Sequence, residues 1–185
     1  MRRSVLTCSA VLTCLTLAFP AWSADWTVDK KSSSVGIVGK KMTGPITGTV
    51  NKWDGKINFD PNNLDKSHVI INVDVGSINM SDKQLDQILP QPDWLSAKIF
   101  PQATFESTSI SHVGGNAYEA AGTVTIRGVK QNVALPFTVD MDERTARAQG
   151  FLSLIRTDFG IGGLLGDVPD MGIMVGVTFD LTATK

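Results

Sequence analysis

Along most of the chain, apolar and polar side chains alternate with a period of two. Val69, Ile71, Val73 and Val75 alternate with His68, Ile70, Asn72 and Asp74, and Ala103, Phe105 and Ser107 alternate with Thr104, Glu106 and Thr108. Ile173, Val175, Val177, Phe179 and Leu181 alternate with Gly172, Met174, Gly176, Thr178 and Asp180. The stretch "TVTIRGVKQNVALPFTVD", residues 123–140, carries Val124 and Ile126, then Val129, Val133, Leu135 and Phe137, mostly with polar groups between. This spacing builds strands with one apolar face, the pattern of an antiparallel all-β domain. The glycines of "HVGGN" (112–116) and "IRGVK" (126–130) supply the positive φ that tight hairpins need, and "FDPNNLDKS" (59–67) reads as a longer loop. In "GTVNKWDGKINFD" the apolar phase shifts near Trp53, as a bulge would cause. The count is about eight strands.

One segment breaks the period. "SDKQLDQILPQPDWLSAKIFP" offers Ser81 as a helix N-cap, Leu85, Ile88 and Leu89 at helical spacing, and Pro90 as a stop. Asp93 caps a second short turn carrying Trp94, Leu95 and Ile99, so the pattern predicts two short helices, from about 82 to 99, crossing one end of the sheet.

So small a helical segment cannot cover the apolar face of every strand. Closure of the sheet on itself turns each apolar face inward and removes the edges, which predicts an eight-stranded antiparallel barrel. Strand parity places Val69, Ile71, Val73, Phe105, Tyr118, Val124, Ile126, Val133, Leu135, Phe137, Phe151, Val175, Val177 and Phe179 on its inner wall, with Trp94, Leu95 and Leu165 near an entrance. A register error of one residue inverts an entire row. Ala103, Ser107, Ala120 and Gly122 are small where the interior is expected. They either leave room for one ligand or accommodate aromatic rings from facing strands, and alternation alone does not choose.

The first residues obey a different logic. Arg2 and Arg3 precede the uncharged run "SVLTCSAVLTCLTLAF", followed by Pro20 and the small residues of "AWSA". That order predicts a secretory signal over 1–23, with cleavage after Ser23 or Ala24, and a mature domain over 24–185. The run is short for a membrane span, which needs about 20 apolar residues. Both cysteines, Cys8 and Cys14, fall inside the signal, so a disulfide, a thiolate metal site and a cysteine nucleophile drop out of the mature chain. Arg2 and Arg3 are two of the 17 basic residues; the rest face 18 acidic ones, a balance that gives no reason to expect nucleic acid.

Candidate chemistry is sparse. His68 and His112 are the only histidines and do not share a metal-ligand spacing, so no metal is expected. No G-x-S-x-G elbow occurs, and the carboxylates are scattered over wet faces and loops, so no catalytic residue is assigned. "GIGGLLGDVPDMG", residues 160–172, lacks the dinucleotide fingerprint and reads as an apolar loop, in which Leu164, Leu165 and Met171 line the barrel mouth or simply close it. Arg127 and Arg156 flank turns, and pairing with Asp158 or Glu106 would pin a loop.

Several segments together carry a resemblance: "WTVDKKSSSVGIVGKKMTGPITGTVNKWDGKINFDP", "FPQATFESTSI", "YEAAGTVTIRGVKQNVALPFTV" and "IRTDFGIG". In content and order they resemble the YceI-like family over nearly all of 26–184, most specifically at Pro101–Ser107, Gly122–Val129 and Arg156–Gly160. Two places depart from the family pattern: Ile155 stands where an acidic residue is usual, and Trp94-Leu95 replaces an aromatic pair. The resemblance implies a lipocalin-like barrel in the periplasm that binds an isoprenoid lipid, a polyprenyl or quinone tail, without catalysis and without a cofactor. It implies a homodimer as well, and a carrier of this kind makes transient membrane contact. Two other readings stay open: a filled barrel with a structural or stress-response role, and an enzyme acting on an amphiphile inside the barrel.

Overall fold

The structure is a computed structural model that describes residues 25–162 and 171–185; the expected signal segment and Leu165 lie outside the described residues. Eleven strands form one antiparallel sheet: β1 (Asp25–Val28), β2 (Ser34–Lys41), β3 (Gly44–Val50), β4 (Trp53–Asn58), β5 (His68–Asp74), β6 (Ile78–Asn79), β7 (Gln102–Gly114), β8 (Ala117–Ile126), β9 (Val129–Met141), β10 (Thr145–Ile155) and β11 (Met174–Thr184). β1 and β2 pair with the same edge of β11 at different heights, through Thr27 opposite Thr184 and Val38 opposite Gly176. β3 and β4 pair with β2 and β1, and β6 and β5 pair in turn with β3 and β4. The first six strands are therefore three long staves, each broken once, and with β7 to β11 they make the closed eight-stranded barrel expected from the period.

The breaks have local chemical causes. Between β3 and β4, at the expected kink before Trp53, the Lys52 N–H donates to the Ser77 hydroxyl at 2.8 Å and the Asp74 N–H to the Lys52 carbonyl at 2.9 Å. Adjacent staves thus bend at one level and remain stitched. Between β1 and β2, the Ser33 hydroxyl accepts from the Thr182 N–H at 2.9 Å and donates to the Asp29 carbonyl at 2.6 Å, replacing ladder bonds where the stave leaves β11. Long, bulged staves let a barrel curve without exposing backbone donors.

Both glycine hairpins form where expected. Arg127 and Gly128 have φ of 52° and 75°, the left-handed pair that a two-residue turn between β8 and β9 demands, and Gly114 and Gly115 turn β7 into β8. The helical segment is smaller than its pattern predicts. One helix forms, α1 (Lys83–Ile88), and its N-cap is Asp82, whose carboxylate accepts from the N–H groups of Gln84 and Leu85; Ser81 sits outside with φ of 52°. Residues 89–99 form turns rather than the expected second helix, because Pro90 and Pro92 interrupt helical bonding and Ser96 adopts φ of 50°.

Two apolar clusters close the two ends. Trp26, Phe59, Ile110, Tyr118, Val139 and Ala183 plug one, where the Phe59 and Tyr118 rings meet edge-on at 5.2 Å. At the other end Leu85, Trp94, Leu95, Leu152, Leu154, Phe159 and Ile161 pack into a lid.

Candidate functional site

Between plug and lid runs a cavity of about 280 Å3. It reaches from Trp26, Phe59 and Ala183 to Trp94, Arg156 and Met171, and its wall includes Val35, Ile37, Ile57, Leu135, Leu152 and Leu154. Among the described residues, besides two tryptophan indoles, only Thr104 and Arg156 bring a hydrogen-bonding side chain to the lining. Among the described residues no three His, Cys, Asp or Glu side chains come together as a metal site.

The hollow depends on where the aromatic rings go. A Cβ on Gly150 would lie 2.5 Å from the ring of Phe179, its direct cross-strand neighbour, and a Cβ on Gly122 would lie 2.8 Å from the ring of Phe105. Both rings therefore rest on bare glycine backbone of the adjacent strand instead of reaching across the axis. Gly122 thus accommodates a ring, as one of the two expectations for the small residues had it, but the ring comes from the adjacent strand. The alanines Ala103, Ala120, Ala146, Ala148 and Ala183 then line space that is not refilled.

Of the residues predicted for the wall, Val69, Ile71, Val73, Phe105, Val124, Ile126, Leu135, Phe137, Val175, Val177 and Phe179 line the cavity, as do Trp94 and Leu95 from the lid. Three others do not. Tyr118 points inward but belongs to the plug, stacked against Phe137 at 5.7 Å. Val133, also on the inward row of β9, packs against the lid cluster rather than the open space. Phe151 is on the outer face and 48% exposed; the inward row of β10 is Ala146, Ala148, Gly150, Leu152 and Leu154, and the Phe151 ring covers bare Gly176 from outside. Wall positions not named from sequence include Trp26, Val35, Ile37 and Phe59; the first three sit on short broken strands where alternation is hard to register.

The lid is tied down by arginines through carbonyls, not through the carboxylates expected as partners. Arg127 donates to the carbonyl oxygens of Gly160 and, at 2.9 Å, Pro92, joining the β8–β9 hairpin to the turns after α1. Arg156 is 7% exposed and donates to the carbonyls of Ile161 and Gly162 at 2.6 Å each, Gly172 at 3.1 Å and Met171 at 3.2 Å. Burial lowers its pKa from the ordinary arginine value, and its guanidinium carbon lies 5.3 Å from the Trp94 ring centre. Gly162, with φ of 59°, makes this approach feasible: a Cβ there would sit 2.8 Å from Arg156 Nη1 and 3.1 Å from the Trp94 ring.

An antiparallel sheet closed into eight staves, plugged at one end and hollow along its axis, defines a lipocalin-like barrel with room for one small apolar molecule. Within that class the chain belongs to the YceI-like domain family, whose model matches residues 26–183. It is 28% identical over 156 residues to a UPF0312 protein of Vibrio cholerae, covering 80% of this chain and 82% of the relative. Among solved structures it is similar to BcnA of Burkholderia cenocepacia, with a TM-score of 0.80 and 34% identity over 85% of this chain and 100% of that one. A domain from Saccharophagus degradans, described as a polyisoprenoid binding domain implicated in plant cell wall breakdown, shares the fold, with a TM-score of 0.68 and 14% identity over 86% of this chain and 97% of that one.

Proposed function

We propose that this protein is an exported, periplasmic carrier or store for an isoprenoid lipid, holding a polyprenyl or quinone tail non-covalently along the barrel axis and catalysing no reaction. The observation that carries the reading is the cavity itself, an axial hollow walled by Val, Ile, Leu, Phe and Ala with almost no polar side chain. Such a wall recognises hydrocarbon by burial and offers little else. Each buried methylene contributes about 0.8 kcal/mol, so a five-carbon isoprene unit contributes at most about 4 kcal/mol before ordering costs. The fold shared with a domain described as polyisoprenoid-binding supports the tail chemistry.

A carrier of this kind must meet a membrane to load, and the outer surface offers a place. Among the described residues, the exposed large apolar side chains gather at the lid end: Met42 (82% exposed) at the β2–β3 tip, Ile99, Val129, Ile155, Ile173 and Met174, with Phe151 lower on the same face of β10. Ile155 and Met174 are direct cross-strand neighbours. Only Val113 and Met141 of this exposed set lie at the plugged end.

Titration with a series of polyprenols of increasing length tests the reading. Affinity rises by at least tenfold per isoprene unit until the hollow is full and then levels. Affinity independent of length would overturn it.

A further inference from the structure

The carrier reading accounts for a tail and leaves open which way round it lies and what its other end carries. Two lid residues in the cavity wall answer this. Trp94 is 2% exposed, and its indole Nε1–H is fully buried with no acceptor among the described residues. A buried donor left unpaired is a standing cost, and a ligand acceptor recovers it. Beside it stands Arg156, four of whose five N–H groups are spoken for by backbone carbonyls. No carboxylate pairs with it among the described residues. A full positive charge in a dry wall, balanced only by peptide dipoles, attracts negative or partially negative oxygen.

At the other end, among the described residues, the cation beside a tryptophan is Lys185, 4.9 Å from the Trp26 ring centre, and it is exposed rather than buried. The Trp26 indole N–H already donates to the Phe59 carbonyl at 2.9 Å, and the rings of Phe59 and Phe137 present carbon to the lumen. The two ends of the cavity therefore differ in chemistry as well as in shape.

Building on the carrier reading, we propose that the lid end is a head-group subsite. A single-chain amphiphile lies with its tail toward Trp26 and Phe59, and an oxygen acceptor at its head takes the Trp94 Nε1–H next to Arg156. The head is a carbonyl, carboxylate or phosphate oxygen rather than hydrocarbon. Small movement of the lid turns is required, since the indole nitrogen is covered.

Three probes on one saturated, branched C20 skeleton test this: phytanate, its methyl ester, and the hydrocarbon phytane. The readout is affinity together with the 1H–15N indole resonance of Trp94, identified by its disappearance in Trp94→Phe. The acid and ester bind about tenfold or more tightly than phytane, and both move the Trp94 indole proton downfield while phytane does not. Tighter binding of the acid than of the ester identifies a charged head as the favoured source, and the reverse order a neutral one; either order upholds the subsite. Trp94→Phe, which keeps a ring beside Arg156 and loses the N–H, abolishes the preference for the acid and ester over phytane. Should phytane bind as tightly as the acid, with the indole resonance unmoved, the subsite is wrong and the carrier stands; should none of the three bind, the carrier reading falls and takes the subsite with it. The resonance measurement needs only the native protein, so it decides the matter even if the variant does not fold.

Discussion

Ala148 lies on the inward row of β10 near its plug-end start, where it lines the hollow beside the plug cluster. Replacing it with Phe adds six carbons to the lumen. A tail must give up about the same number of carbons' worth of space, at about 0.8 kcal/mol each, so the loss approaches about 5 kcal/mol and more than a thousandfold in affinity. That figure is a ceiling, because a tail can shift along the axis. The same substitution separates a hollow barrel from a filled one through stability. In a packed core an inserted ring forces neighbours off their rotamers and destabilises by about 1–3 kcal/mol. In an open lumen it finds new contacts, so Ala148→Phe unfolds in urea at or above the native midpoint. Phe151→Ala, on the outer face, serves as the control and leaves tail binding unchanged. Binding read by competition against a fluorescent polyene and stability read by urea titration suffice. A stable Ala148→Phe protein that binds tails at native affinity would refute the reasoning, as would a variant destabilised like a solid core.

Three further outcomes follow from the lid and its surroundings. Gly162→Ala places a Cβ 2.8 Å from Arg156 Nη1 at φ of 59° and should lower stability by at least about 1–2 kcal/mol, visible as a fall of several degrees in Tm; an unchanged Tm would mean the Trp94–Arg156 contact is not tight. Asp82 accepts a side-chain hydrogen bond from Lys41, which holds its pKa below the ordinary 3.8. A depressed folded value stabilises above the unfolded pKa and the contribution is lost as pH falls through the folded one. Asp82→Asn keeps an N-cap acceptor but loses the ion pair, so its stability deficit is full at neutral pH and closes below 3.8; a deficit constant down to pH 2 would contradict the assignment. Met174→Asp with Ile173→Asp, on the exposed lid-end rim, should weaken co-sedimentation with lipid vesicles severalfold while leaving the affinity for a soluble short prenol unchanged; equal sedimentation would remove this face as the membrane contact.

The barrel was legible because period-two alternation is a direct consequence of the pleat, and in β5, β8, β9 and β11 one parity holds from end to end. It misled at Phe151, where the largest apolar side chain of β10 faces out; the weaker signal of Ala146, Ala148, Leu152 and Leu154 on the other parity was the right one. Size is a poor guide where an aromatic ring has a glycine to lie on, and Gly176 is two residues beyond the cross-strand partner of Phe151, out of reach of a single-strand reading. The N-cap fell to Asp82 rather than Ser81 because the carboxylate both caps α1 and meets Lys41 from the β2–β3 hairpin, a tertiary contact invisible locally. Arg156 stood out in "IRTDFG", yet its partners are backbone carbonyls, which no residue type announces. The unpaired Trp94 N–H is a property of packing alone.

Native mass spectrometry of the protein, purified without detergent from an extract that contains membranes, tests the occupied hollow most directly. A one-to-one adduct with a polyprenyl mass, released by organic solvent and absent from Ala148→Phe, is the predicted spectrum. Bare protein before and after incubation with prenyl lipids would contradict the account.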